Sequence, residues 1–296
     1  MYVLNRPHME ILQMSSRNID EWAQMSCSIK DEGGMEEWAK DKAVAQKTHP
    51  LSCDWYHSTW QYMRLLNMVA VPNWYPFYVD ALGSLLKEKE NANVFICACA
   101  DYGMLAKLHE AIVRVNAHPT ITIYDICETP LKSCEWYAEM HNLDIKCTVG
   151  NILTEDIPEA PFDLIVTDEF LTVLKKEYKP IIVERWKELL ADGGNIVTTA
   201  MIGKETTLEN RTYYFEKAKI LFDLYKDVLF PEHTNGNGQH LVDKFERFAM
   251  YHTRHMIEDE HEIRELFSGF KKFSCSVVAT PGECVNPTNS FQIIAG

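Results

Sequence analysis

From residue 94 onward, short runs of consecutive apolar residues alternate with longer segments of helical period. Val94–Cys99 reads as a buried strand and 103–116 as a helix; Ile121–Asp125 is strand-like and Pro130–Met140 helical. Ile145–Val149, Phe162–Thr167 and Asn195–Ala200 give three more strands. The helix Tyr178–Leu190 precedes the last of these, with a turn at Ala191, Asp192, Gly193 and Gly194 leading into it. Continuous apolar strands spaced by helices mark a parallel sheet covered on both faces, because such strands have no solvent-facing side to make polar. The pattern predicts an α/β fold with a doubly wound core.

The pattern changes on either side of this stretch. Residues 1–90 are helix-like and rich in aromatics, with Trp55, Tyr56, Trp60, Tyr62, Trp74, Tyr75, Phe77 and Tyr78 close together. Pro72 and Pro76 interrupt the helical period, since proline lacks an amide donor. After residue 200, two or three helices occupy roughly 208–268, separated by the turn-rich stretch Pro231–Gly238. Phe273–Ala279 and Ser290–Ile294 then read as two strands joined by a link with no helical period, which makes them antiparallel. The division expected is a helical cap over 1–90 and a core over 91–296 that carries a helical insertion at about 205–268.

Charge and composition narrow the function classes. With 29 Lys+Arg against 43 Asp+Glu, the net charge of -14 argues against a nucleic-acid partner, whose backbone is held by cationic side chains. No apolar run approaches the roughly 18 residues of a membrane span, and the N-terminal residues lack a secretory signal pattern, so a cytoplasmic protein with no membrane partner is expected. Nine cysteines at 27, 53, 97, 99, 127, 134, 147, 275 and 284 include no Cys-x-x-Cys pair and read as small core thiols rather than as zinc ligands or a disulfide framework.

Ligands of open α/β sheets bind beyond the carboxyl ends of the strands, so the residues after each strand carry the chemistry. After the first strand come Ala98, Cys99 and Ala100, all small, then Asp101, Tyr102 and Gly103, where a helix starts and offers free amides. Small residues there either admit a cofactor close to the backbone or let a helix pack tightly. Asp125 ends the second strand, where a carboxylate can accept hydrogen bonds from both hydroxyls of a ribose. Asn151 and Ile152 follow the third strand, at the edge available to an adenine, and Thr167, Asp168 and Glu169 follow the fourth.

These positions together resemble the class I S-adenosylmethionine-dependent methyltransferases. The resemblance equates Ala98–Gly103 with the family's glycine-rich first loop, Asp125 with its acidic ribose ligand, Asn151 and Ile152 with its adenine-contacting position, Thr167–Phe170 with its fourth-strand motif, and Asp192–Gly194 with its fifth-strand turn. It implies a seven-stranded Rossmann-like sheet with the last strand antiparallel, and S-adenosyl-L-methionine as cofactor, bound by Ala98, Ala100, Asp101, Gly103, Asp125, Asn151, Ile152 and Thr167. The chain departs from the pattern where Ala98 and Ala100 replace glycines and Ile96 replaces an acidic residue; a position needing positive φ would resist alanine.

The implied reaction is methyl transfer to a small acceptor, amine- or amino-acid-like. Asp168 and Glu169 would lie near the reacting atoms, and His57, Trp60 and Arg64 share one helical face of the cap. His57 is expected as base or orienting group, alongside Asp168 and Glu169, with Trp60 and Arg64 holding substrate. The aromatic cap would equally serve as a homodimer surface. The cluster His240, His252, His255 and His261 lacks a fixed carboxylate partner, and no metal is expected. Two other readings stay open: a nicotinamide-dependent oxidoreductase, since Asp125 suits either ribose, and a non-catalytic relative that binds a partner.

Overall fold

The computed structural model describes residues 6–26, 54–69, 75–204, 206–231, 238–280 and 289–296. Pro72, Trp74, most of the turn 231–238 and most of the link 280–289 lie outside these residues. The described chain begins with α1 (Arg6–Ser26), α2 (Asp54–Leu65) and α3 (Tyr75–Glu88). It continues as β1 (Asn93–Cys97), α4 (Gly103–Val115), β2 (Thr120–Asp125), α5 (Glu128–His141), β3 (Lys146–Val149) and β4 (Phe162–Val166). The short helix α6 (Phe170–Val173), then α7 (Lys179–Leu189) and β5 (Leu190–Ile202), follow. Last come α8 (Leu208–Leu229), α9 (Gln239–Tyr251), α10 (Glu260–Leu266), β6 (Phe273–Ala279) and β7 (Asn289–Ala295).

The seven strands form one sheet in the order β3-β2-β1-β4-β5-β7-β6. β1 to β5 run parallel to their neighbours, and β7 lies antiparallel between β5 and β6. This is the doubly wound core with a closing antiparallel pair that the sequence pattern predicts, in the seven-stranded form that the resemblance implies. The chain winds outward in one direction from β1 to β2 and β3 and in the other from β4 to β5. The switch point therefore lies between the C-terminal ends of β1 and β4.

Alternate side chains along each strand feed two cores. Val94, Ile96, Ile121, Ile123, Leu164 and Val166 join one cluster with α1 to α5, α8 and α9, whereas Phe95, Cys97, Ile165 and Phe162 join a second with Trp186 and Ile182 of α7. Burying both faces is what lets successive residues of the central strands be apolar.

Two local readings are revised. Pro76 sits in the first turn of α3, where its missing N–H costs nothing because that donor has no helical partner, so it opens a helix rather than breaking one. Ala191–Gly194 is not a separate turn: β5 begins at Leu190, with Phe162 facing Leu190 and Leu164 facing Asn195, and the register shift between them absorbs Gly193 at φ +77°. The cysteine reading is also corrected at one position, since Cys127 is disulfide-bonded while Cys97, Cys99, Cys134, Cys147 and Cys275 are free.

Candidate functional site

At the end of β1 the backbone turns sharply at Ala98, which adopts φ +54°, a left-handed conformation that disfavours any side chain. Its N–H still donates to Tyr124 O at 3.1 Å, so the turn is pinned to β2. Asp101 is buried, accepting from the Gly103 N–H through Oδ1 at 2.8 Å and pairing with Arg64 through Oδ2. A Cβ on Gly103 would stand 2.9 Å from Asp101 Oδ1 and 3.2 Å from Arg64 Nη1, so glycine is needed for this close approach. The Arg64 guanidinium also lies 5.0 Å from the centre of the Tyr102 ring. Arg64 thus ties α2 to the first loop.

His57, on the same helix, places Nδ1 3.0 Å from Ala100 O. A carbonyl can only accept, so Nδ1 carries the proton and Nε2 presents a lone pair. Burial lowers the imidazole pKa to about 4 and keeps it neutral. One turn on, Trp60 is buried and stacks on Tyr56 with centroids 5.3 Å apart.

Asp125, at the end of β2, is buried and accepts from the Cys127 N–H at 2.8 Å. Burial pushes its carboxyl up to about 7, because backbone donors alone do not replace the lost hydration. Beyond β3, Asn151 Oδ1 accepts from Leu153 N–H at 3.0 Å, leaving its amide NH₂ as the remaining donor. Ile152 is buried in the second core, and Gly150 N–H donates to Asp125 O at 2.9 Å, linking the two corners. A Cβ at Gly150 would lie 1.9 Å from the Tyr124 hydroxyl, so that position also requires glycine.

The end of β4 is different in kind. Thr167 O accepts from the Tyr78 hydroxyl at 2.8 Å. Asp168 Oδ1 accepts from Thr199 Oγ1 at 2.7 Å and Tyr78 at 3.1 Å, and Oδ2 pairs with Lys107 Nζ at 3.0 Å. Lys107 is almost wholly buried and lies 4.5 Å from the centre of the Tyr78 ring. Burial pulls its pKa down and the Asp168 charge opposes that shift. An incoming ammonium would have to displace Lys107 to reach Asp168. Glu169 adopts φ +55°; its Oε2 accepts from Thr172 Oγ1 at 2.6 Å and Met201 N–H at 3.0 Å, while Oε1 is buried without a hydrogen bond. Burial, then the neighbouring Asp168 charge, pushes the Glu169 carboxyl up to about 7.

The expected residues therefore gather at one sheet edge, with Asn151 and Ile152 on its outer side. Tyr56 is a residue the sequence reading passed over: its phenol is raised far above the usual range by burial and then by the charges of Asp101, Asp125 and Asp168. That hydroxyl lies within electrostatic reach of carboxylates from beyond β1, β2 and β4. Lys107, Tyr78 and Thr199 were also missed; a lysine inside the apolar run Met104–Leu108 was the one available signal. Among the described residues, no three His, Cys, Asp or Glu side chains group as a metal site, and no helix is long and apolar enough to cross a membrane.

No family model matches the chain, and no curated protein matches it. Solved structures align with this chain at low identity and with TM-scores below 0.5. TehB from Haemophilus influenzae aligns over 73% of this chain with 16% identity and a TM-score of 0.46; this chain spans 61% of TehB. A SAM-dependent methyltransferase from Methanosarcina mazei aligns over 70% of this chain and 92% of its own, with 15% identity and a TM-score of 0.45. The magnesium protoporphyrin IX methyltransferase of Synechocystis, solved with bound SAH, aligns over 74% of this chain and 82% of its own, with 13% identity and a TM-score of 0.43.

Proposed function

We propose that this chain is an S-adenosylmethionine-dependent methyltransferase that acts on a small, amine- or amino-acid-like acceptor. The observation that carries the reading is Asp125. It is a buried carboxylate at the end of β2, beside the switch point, whose shift to about 7 reflects a deficit of donors that two ribose hydroxyls would fill. The other residues fit the same group: the Asn151 amide is free to donate to an adenine edge, and the small Ala98 and Ala100 allow close approach to the first loop. Asp101, Gly103 and Thr167 complete the lining, with Arg64 and His57 at its cap side.

The cofactor supplies a methyl group already activated by a sulfonium. What the protein adds is alignment of the acceptor and exclusion of water. Among the described residues, His57 Nε2 and Glu169 Oε1 have no hydrogen-bond donor, which suits them to orient an N–H or O–H nucleophile and to take its proton. Glu169, with a pKa of about 7, is the better matched of the two to hold that proton near neutral pH. Asp168 acts through Lys107, Tyr78 and Thr199, fixing the geometry of the β4 end. Trp60 supports the Tyr56 ring from behind.

Calorimetry with S-adenosylhomocysteine, NAD and NADP tests the reading. Binding of the first alone supports it; preference for a nicotinamide cofactor favours the oxidoreductase, and no binding favours a partner-binding relative. A screen of small amines, amino acids and phenols for S-adenosylhomocysteine release then identifies the acceptor.

A further inference from the structure

Between α9 and α10 the segment 252–257 runs along the end of β5 as a strap. Its backbone is held at several points: His255 N–H donates to Thr172 O at 2.6 Å, Arg254 N–H to Thr206 Oγ1 at 3.0 Å and Ile257 N–H to Met201 O at 2.9 Å. Buried Lys179 binds the His255 and Met256 carbonyls at 2.7 and 3.1 Å from below.

Two arginines meet beside this strap without an acid. Arg211 spends its guanidinium on the carbonyls of Ala249, Met250 and His252 and on Thr253 Oγ1, which terminates α9. Arg254 rests on the Tyr214 ring, 5.5 Å from its centre, and no carboxylate among the described residues pairs with either arginine. Their charges repel, as the lowered pKa of Arg211 reflects after burial. In a chain of net charge -14, an unneutralised pair of cations is a local exception.

The pair borders the candidate site. Tyr214 stacks on Phe248 with centroids 6.1 Å apart, and Phe248 on Tyr56 at 5.6 Å, so the rings form a continuous wall from α8 through α9 to α2. The Tyr56 hydroxyl, which makes no hydrogen bond among the described residues, lies within electrostatic reach of Arg254 as well as of Asp101, Asp125 and Asp168, and the Tyr56 ring lies 5.6 Å from that of His252, two residues before Arg254. The site is thus polarised, with carboxylates along the sheet edge and a free guanidinium on the insertion side.

We propose that Arg254, backed by Arg211 and faced by the Tyr56 phenol, forms a subsite for the carboxylate of the acceptor. The guanidinium fork matches a carboxylate bidentately, and the phenol supplies a further donor. An amino acid bound this way points its amine toward Glu169 and the sheet edge. This deepens the methyltransferase reading by selecting, from amine-like and amino-acid-like acceptors, the class bearing an anionic group.

The test compares phenylalanine, methionine, leucine and benzoate with their primary amides by saturation-transfer NMR, on the full chain with and without S-adenosylhomocysteine. At least one carboxylate should bind about tenfold more tightly than its amide. Arg254→Gln should remove that preference and Arg254→Lys should keep part of it, with thermal unfolding unchanged because the strap is held by its backbone. Equal binding of every acid and amide by the wild type, or a preference undiminished in Arg254→Gln, overturns the subsite. The readout needs no turnover, so failure to bind S-adenosylhomocysteine would defeat methyl transfer while the acid–amide comparison still decides this proposal.

Discussion

Asp125 is buried and Asp168 half-buried at the carboxyl edge of the sheet, yet the protein treats their charges in opposite ways. Asp168 is neutralised from within by Lys107 and by the hydroxyls of Tyr78 and Thr199. Asp125 has backbone donors only, and its carboxyl is pushed up to about 7. A charge supplied with a counter-ion is part of the scaffold, whereas one left short of donors is poised for a ligand. The difference separates structural from binding carboxylates where position in the fold alone would not.

Removing the internal counter-ion is the most damaging way to probe this contrast. Lys107→Met leaves the half-buried Asp168 without its counter-ion, and should cost about 3–5 kcal/mol of stability in urea unfolding, most of it recovered by adding Asp168→Asn. If the single variant is no less stable than the double, the pair is not structural. The next effect is on binding: Asp125→Ala should weaken S-adenosylhomocysteine by about 1–3 kcal/mol in calorimetry, while Asp168→Asn leaves that affinity within about twofold. Equal losses in the two variants would erase the distinction.

The pH dependence sharpens the contrast further. Ribose hydroxyls favour the ionised Asp125, so S-adenosylhomocysteine affinity should be full above pH 7 and fall below it, by up to about tenfold per unit, with Asp125→Asn flattening the profile. For folding the sign is opposite. Because the folded-state pKa is raised above that of the unfolded chain, the ligand-free protein binds the proton more tightly than the unfolded chain does. Its stability should therefore decline as pH rises from about 4 to about 7, a slope that calorimetric unfolding of Asp125→Asn should lack. The smallest effect concerns the loop beside Asp125. Ala98→Gly relieves the left-handed strain but loosens the unfolded chain, for a net gain of about 0.5–1 kcal/mol in urea unfolding, whereas Ala98→Val should lose stability.

The sheet was legible because β1, β2, β4 and the second half of β5 are short clusters of apolar residues spaced by helical segments, a signal that survives without knowing their partners. The start of β5 was not, since Asp192, Gly193 and Gly194 have turn chemistry and are held in the strand only by pairing with β4 across a bulge. Asp125 stood out because it ends an apolar run. Lys107, Tyr78 and Thr199 did not: each looks ordinary in its own helix or strand, and only the fold brings α3, α4 and β5 to Asp168. Arg254 was hidden between His252 and His255, two histidines that drew the eye to metal chemistry. Ala98 stands where the resemblance expects a glycine, but that its φ is positive is a property of the turn and not of the residue.

The strap over β5 has a consequence for how such a site can diversify. Its position is set by amide and carbonyl groups that every residue type except proline provides in full, through Thr172, Thr206, Met201 and Lys179. The side chain at 254 can therefore be exchanged without moving the frame that presents it. A lineage could retune which acceptor it recognises by single substitutions there, leaving the cofactor corner and the fold's stability untouched.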